Sequence, residues 1–138
     1  MSTRGRKATP RAIVGALKVA PAAPDHLPAD MAGEWSEIAA ELQARGLLTA
    51  SVLGVVATYL VSLWTVRQAQ GEIARRGVLV AGAGGALKPN PANALLVKSQ
   101  DTAARLAAEL GLTPAARSKA AMSAPAGKVD DAWSDMDL

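Results

Sequence analysis

Residues 46 to 66 read GLLTASVLGVVATYLVSLWTV and hold no charge. A helix through this run meets the roughly 20-residue requirement for crossing a bilayer. It also meets the description of a helix that protein covers on every side. The helical pattern continues without a break through Arg67, Glu72, Arg75 and Arg76, and hydroxyl residues recur along it. No aromatic belt marks both ends, as a membrane span would favour. Thr49 is a good N-cap, so the spacing predicts a helix from Ala50 to about Arg76, some 40 Å long. On a helical projection Ser51, Thr58, Ser62 and Thr65 share one narrow strip that Glu72 continues. Leu53, Val56, Leu60, Leu63 and Trp64 cluster opposite, and Arg67 extends that side. One small subunit can hardly cover such a rod, so the rest of the cover is expected from neighbouring copies.

The chain is short enough that one domain is the natural expectation for its 138 residues. Half of it is hydrophobic, yet there is no Phe and aromatics make up 3%. The core must therefore be Ala, Leu, Val and Ile around a few Trp, a composition that favours helices. With no cysteine, disulfides, Cys-ligated zinc and iron–sulfur clusters are excluded. The one histidine, His26, lies among Pro21, Pro24 and Pro28 and reads as solvated. No apolar segment follows the basic start, so the N-terminus does not read as a secretory signal.

Three parts follow from the pattern. Residues 1–28 read as a basic arm and Pro-rich linker, extended and poorly ordered. Residues 29–122 read as a helical oligomerisation core. Its first helix is expected from about Ala29 to Arg45, with Met31, Trp35, Ile38, Ala39 and Leu42 on one stripe and Gly46 as its stop. After Gly77, Val78–Val80 and Ala86–Lys88 are expected to pair across the Gly-rich turn as a small hairpin. Asn90-Pro91 is a cap followed by proline at the first helical position. The helix it opens should run to Leu110, with Leu95, Leu96, Ala103, Leu106, Ala107 and Leu110 inward. Thr113-Pro114 repeats the device for a short helix to about Met122. Residues 123–138 read as an acidic tail without periodicity. The expected fold is thus all-α, a helical-hairpin core with at most one small β-hairpin, flexible tails and an oligomeric assembly.

The Gly-rich stretch does not read as a phosphate loop, because Lys88 follows Leu87 and precedes Pro89 where a Walker loop needs Gly-Lys-Ser/Thr. The dinucleotide pattern fails too, with Leu87 at the third glycine's place. No catalytic set, metal motif or cofactor site is visible; Glu37 and Glu41 at i,i+4 are what any solvated helix face carries. Two segments carry partner chemistry. Arg4, Arg6, Lys7, Arg11 and Lys18 face no acid in the first 24 residues. Arg-Gly-Arg puts two guanidiniums on a backbone thin enough for a minor groove, and the others can add phosphate contacts. At the other end Asp130, Asp131, Asp135 and Asp137 alternate with Trp133, Met136 and Leu138, a peptide able to offer apolar anchors to a basic groove.

In order, the chain has an RGRK arm, a Pro-rich linker, a Trp-bearing helix ending RGLLT and a long apolar helix with Tyr59 and Trp64. A Gly-rich turn, NP and ELGLTPAAR follow. This arrangement resembles the small terminase subunit of tailed phages and prophages over about residues 4–120. Its most specific segment is KPNPANALLVKSQDTAARLAAELGLTPAARSK, where Asn90, Pro91, Gly111, Leu112, Thr113, Pro114 and Arg117 match the family's Asn-Pro helix and its Glu-Leu-Gly-Leu-Thr-Pro-x-x-Arg end. The hairpin tip is unusually rich in Gly and Ala for the family, and the tail is too variable to align. The resemblance implies a non-enzymatic packaging component of the host cytoplasm, needing no cofactor. It would form a homo-oligomeric ring on double-stranded viral DNA and deliver it to the terminase large subunit, which holds the ATPase and nuclease. Leu53, Val56, Tyr59, Leu60, Leu63 and Trp64 would then meet ring neighbours, and the acidic tail would dock the large subunit. The rival readings are a small phage membrane protein such as a lysis factor, spanning with residues 46–66, and a stand-alone DNA-binding protein.

Overall fold

Gly46 sets the first corner of the chain. Its φ of 69° is the left-handed conformation that glycine adopts without strain. Leu47 N–H then reaches the Leu42 carbonyl at 2.9 Å and Gly46 N–H the Gln43 carbonyl at 3.0 Å. Those two bonds close the end of helix α1, Ala32–Ala44. Ala29–Met31, expected within this helix, forms a tighter 3-10 turn instead, because Met31 N–H bonds the Pro28 carbonyl three residues back. The computed structural model describes residues 13–123, with side chains described as far as 118.

Helix α2, Ala50–Arg76, has the expected bounds. Thr49 Oγ1 caps it by accepting from Val52 N–H, and Gly77, at φ 92°, follows its last residue. Along α2, Thr58, Ser62 and Thr65 hydroxyls donate to the carbonyls of Gly54, Thr58 and Val61 at 2.8–2.9 Å. Satisfied within their own helix, such hydroxyls can face another helix at little cost. Ser62 is in fact buried, on the side where the second long helix packs.

Strands β1, Leu79–Ala81, and β2, Leu87–Pro89, form an antiparallel pair with Val80 opposite Lys88. Each lies one residue later than the sequence predicts. The observed register continues at Val78, opposite Asn90: its carbonyl accepts from Asn90 N–H (2.8 Å) and also from Asn93 Nδ2 (2.8 Å), which ties the hairpin to the cap of the next helix. Helix α3, Pro91–Glu109, starts at the expected cap: Asn90 Oδ1 accepts from Ala92 N–H at 3.0 Å, and Asn90 Nδ2 donates to the Gly77 carbonyl at 2.9 Å. One buried side chain thus ties the end of α2 to the start of α3. Asn90→Ala should cost about 1–3 kcal/mol, since it removes a cap and orphans the Gly77 carbonyl. Urea denaturation followed by circular dichroism measures it.

α3 runs back along α2, with small residues buried on both, Ser99 and Ala103 on α3 and Ala57, Ser62 and Ala69 on α2. Leu106 and Leu110 complete the seam as expected. Leu95, expected inward, is 48% exposed; it stands at the rim of the clefts between the two helices. Gly111 and Thr113 then turn the chain into α4, Pro114–Ser123.

The core lies between α1, the first half of α2 and residues 17–27. Met31, Trp35, Ala39 and Leu42 meet Leu48, Val56 and Leu60, and Leu27 and Leu110 close the ends. The described part of the linker is not the loose extended run that was expected: it turns at Val14–Gly15 and at Asp25–His26 and is fastened to this core. Leu17 N–H bonds the Leu48 carbonyl (2.7 Å), Gln43 Nε2 the Lys18 carbonyl (2.9 Å) and Trp35 Nε1 the Pro21 carbonyl (3.0 Å). The packed unit therefore begins before residue 29. Prolines restrict the unfolded chain, which lowers the entropy cost of laying this segment down.

Candidate functional site

α2 carries the surface that matters most. Of its six expected assembly residues, Val56 and Leu60 are completely buried in the chain's own core. The apolar stripe of α1 needed a partner, and that side of α2 supplies it. Leu53, Tyr59, Leu63 and Trp64 pack only at the margin of the core and stay partly exposed. Over the most apolar window of α2, 22% is buried within the chain. Most of its other apolar residues, Leu53, Tyr59, Leu63 and Trp64 among them, are half-buried, so their outer sides remain accessible.

Arg67 closes one end of this face. Its guanidinium pairs with Glu34 at 2.7 Å and reaches Met31 Sδ at 3.2 Å. The hydrogen bond to Glu34 holds the Arg67 pKa above its usual value. Burial, helped by the charge of Glu34, raises the Tyr59 phenol despite the opposing pull of Arg67. The pair is largely solvated and worth little to stability; the buried contacts of Met31, Trp35 and Leu42 with Val56 and Leu60 set how α1 lies on α2.

Of the expected DNA contacts, Arg4, Arg6, Lys7 and Arg11 lie outside the described residues. Lys18 is described and exposed, with its carbonyl held by Gln43. The single bridge between Ala16 and Thr49 fixes the same stretch to the α1–α2 corner. Asp130, Asp131, Trp133, Asp135, Met136 and Leu138 also lie outside the described residues. The segment that leads to them is rooted at the end of α1: Arg117 pairs with Glu41, and Arg45 Nη1 and Arg117 Nε both donate to the Gly111 carbonyl, at 3.2 and 3.0 Å. Residue 18 and Arg117 are thus both held on the last two turns of α1, through Gln43 and Glu41, which lie two residues apart and project from different sides of the helix.

The opposite end bears the hairpin. Its register puts Leu79, Ala81, Leu87 and Pro89 on one face, and that face is solvent-exposed, Leu87 to 71%. Strand alternation could have revealed this face, had the register been fixed by sequence. Nearby, Arg75 and Arg76 both grip Glu72. The hydrogen bond from Arg75 is the main reason that the Glu72 carboxyl lies below the usual carboxylate range. This clamp is therefore complete above that range and is lost as pH falls through the lowered value. His26, exposed as expected, lines a shallow cleft of about 450 Å³ with Thr58, Ser62, Lys98 and Thr102. Among the described residues no cluster of His, Cys, Asp and Glu could hold a metal ion.

A family model described as phage terminase, small subunit, matches residues 32–126. The match begins at the first residue of α1 and runs past α4, so the arm and linker precede it. No curated protein and no solved structure matches the chain.

Proposed function

From the premise that this chain belongs to the phage terminase small-subunit family, and so has a role in viral genome packaging, we propose that it works as a homo-oligomeric ring. The ring binds double-stranded phage DNA and delivers it to the large subunit, which performs the ATP hydrolysis and cleavage. The family acts in the host cytoplasm and is generally non-catalytic. The single observation that carries the ring is the incompletely covered α2. Neighbouring copies would finish burying the Leu53, Tyr59, Leu63 and Trp64 margin that the chain itself covers only in part. Arg4, Arg6, Lys7, Arg11 and Lys18 supply phosphate contacts. Trp133 and its flanking aspartates engage the large subunit; a full-strength pull-down by a chain ending at Gly127 would refute that part.

The membrane reading has one observation in its favour: by length and composition α2 is able to cross a bilayer. The packing opposes it. Drawing α2 into lipid would strip Met31, Trp35 and Leu42 of Val56 and Leu60 and carry Arg67, Glu72, Arg75 and Arg76 along the same helix. Mass measurement of the purified protein in detergent-free buffer, with and without DNA, decides between them. A multimer is expected; extraction only with detergent, or a folded lone monomer, defeats the ring. Paired Leu63→Arg and Trp64→Glu changes should reduce the multimer to monomers or dimers. Each charge would sit in a desolvated contact, where losses of about 2 kcal/mol or more per residue are usual for such anchors.

A further inference from the structure

We infer that β1 pairs edge to edge with β1 of a second copy, about a twofold axis at Val80. The inference rests on the proposal that copies assemble, and it adds a contact separate from the flank of α2. It starts from the bonding pattern of the hairpin. Gly82 N–H bonds the Ala86 carbonyl at 2.7 Å, and Asn90 N–H bonds the Val78 carbonyl at 2.8 Å. Bonded and non-bonded pairs alternate along an antiparallel ladder. In the observed register Val80 and Lys88 are therefore the bonded pair between those two ends. Leu79 and Ala81 then turn their N–H and carbonyl groups away from β2. Among the described residues nothing else bonds these groups. Gly77 lies beside the Leu79 carbonyl and, having no side chain, leaves it open.

The two edges of the hairpin differ. On β2, Pro89 has no N–H to offer and Lys88 adds a charge. Both are devices that keep a strand edge from pairing. β1 reads Leu-Val-Ala, with neither charge nor proline, and Leu79 and Ala81 are exposed. Its free groups also complement themselves. In an antiparallel pair centred on Val80, Leu79 of each copy lies opposite Ala81 of the other, and each such pair exchanges both bonds. Pairing β1 with a neighbour's β2 would lose a bond at Pro89. The apolar face follows the same symmetry. Leu79 is 53% and Leu87 71% exposed on one side of the hairpin, and pairing joins two such sides in one four-stranded sheet. A lone two-stranded hairpin is marginal in water, and further strands stabilise it. A twofold contact is closed after one partner. It therefore couples two α2-built assemblies and does not lengthen either.

Two measurements on the full chain test this. The first is disulfide trapping, for which the protein has no cysteine of its own. Leu79→Cys and Ala81→Cys chains are co-expressed, one carrying a tag that shifts its mass. Bonded partners lie about 5.5 Å apart between Cα atoms, within disulfide reach, whereas two residues 79 or two residues 81 would be too far apart. Under mild oxidant the mixed dimer should form about tenfold faster than either dimer of identical chains. Equal rates overturn the inference. So does faster linking of Ala81→Cys to Leu87→Cys, which would mean that β1 meets a neighbour's β2.

The second is the mass of the assembly in detergent-free buffer. Ala81→Pro removes an N–H that points outward, so the hairpin's own ladder loses nothing. Ala81→Lys keeps that N–H and places a charge on the edge. Either change should lower the mass to about half, with the helical circular dichroism unchanged. An unchanged mass in both variants refutes the β1 contact and leaves the ring standing. A fall to lone monomers keeps the β1 contact and removes the ring, because the twofold pair would then be the whole assembly.

Discussion

Trp35→Ala should cost the fold about 3–5 kcal/mol, the usual loss for a buried aromatic cut to alanine. That is a large share of the roughly 5–15 kcal/mol that holds a domain together. Trp35 is 2% exposed, at the centre of the core, and its indole N–H holds the Pro21 carbonyl. The change therefore opens a cavity and releases the linker in one step. Trp35→Phe separates the two effects: it keeps most of the packing and loses the hydrogen bond, at about 1 kcal/mol. Denaturant midpoints give both values. Limited proteolysis should find residues 16–28 newly open to cleavage in both variants. An alanine variant that melts with the parent would mean that the linker and α1 do not share a core.

Changing Arg4, Arg6, Lys7 and Arg11 together to Ala should weaken DNA binding roughly a hundredfold at low salt. Each phosphate contact contributes about 0.9 to the slope of log affinity against log salt, so the slope should flatten by about 3.6. Affinity alone would not identify the arm, because any loss of folded protein lowers it. The slope counts the ions released and so reports the contacts themselves. A weaker complex with its slope intact would place the phosphate contacts elsewhere, the exposed Lys98 and Arg105 of α3 being the next to change.

Helix ends proved the most legible part of the sequence. Thr49, Gly77, Asn90-Pro91 and Thr113-Pro114 each act through bonds a few residues long, and α2, α3 and α4 begin where these residues place them. Distant demands on one atom were not legible. The hairpin's register runs on into Asn90, whose N–H bonds the Val78 carbonyl, and strand alternation alone did not show that tie to the cap of α3. The linker looked detached because it has no periodicity; its attachment depends on Trp35 and Gln43 reaching carbonyls far away in the chain. Projection of α2 correctly gave an apolar side but could not say who occupies it. Val56 and Leu60 went to α1, and the margin around Leu53 and Trp64 was left over. Family membership was carried by the stretch from Asn90 to Arg117, which lies inside the matched residues. The basic arm precedes that match, and its role rests on charge alone.

The tip between β1 and β2, Ala83–Gly85, has two glycines with positive φ, and a Cβ added at either would meet nothing within 4 Å. Nothing in the core depends on what is attached there. A short epitope or a fluorescent reporter spliced between Gly84 and Gly85 should leave the helices as they are. Such a graft would give a handle in the middle of the sequence, by which assembly could be watched without altering either charged segment.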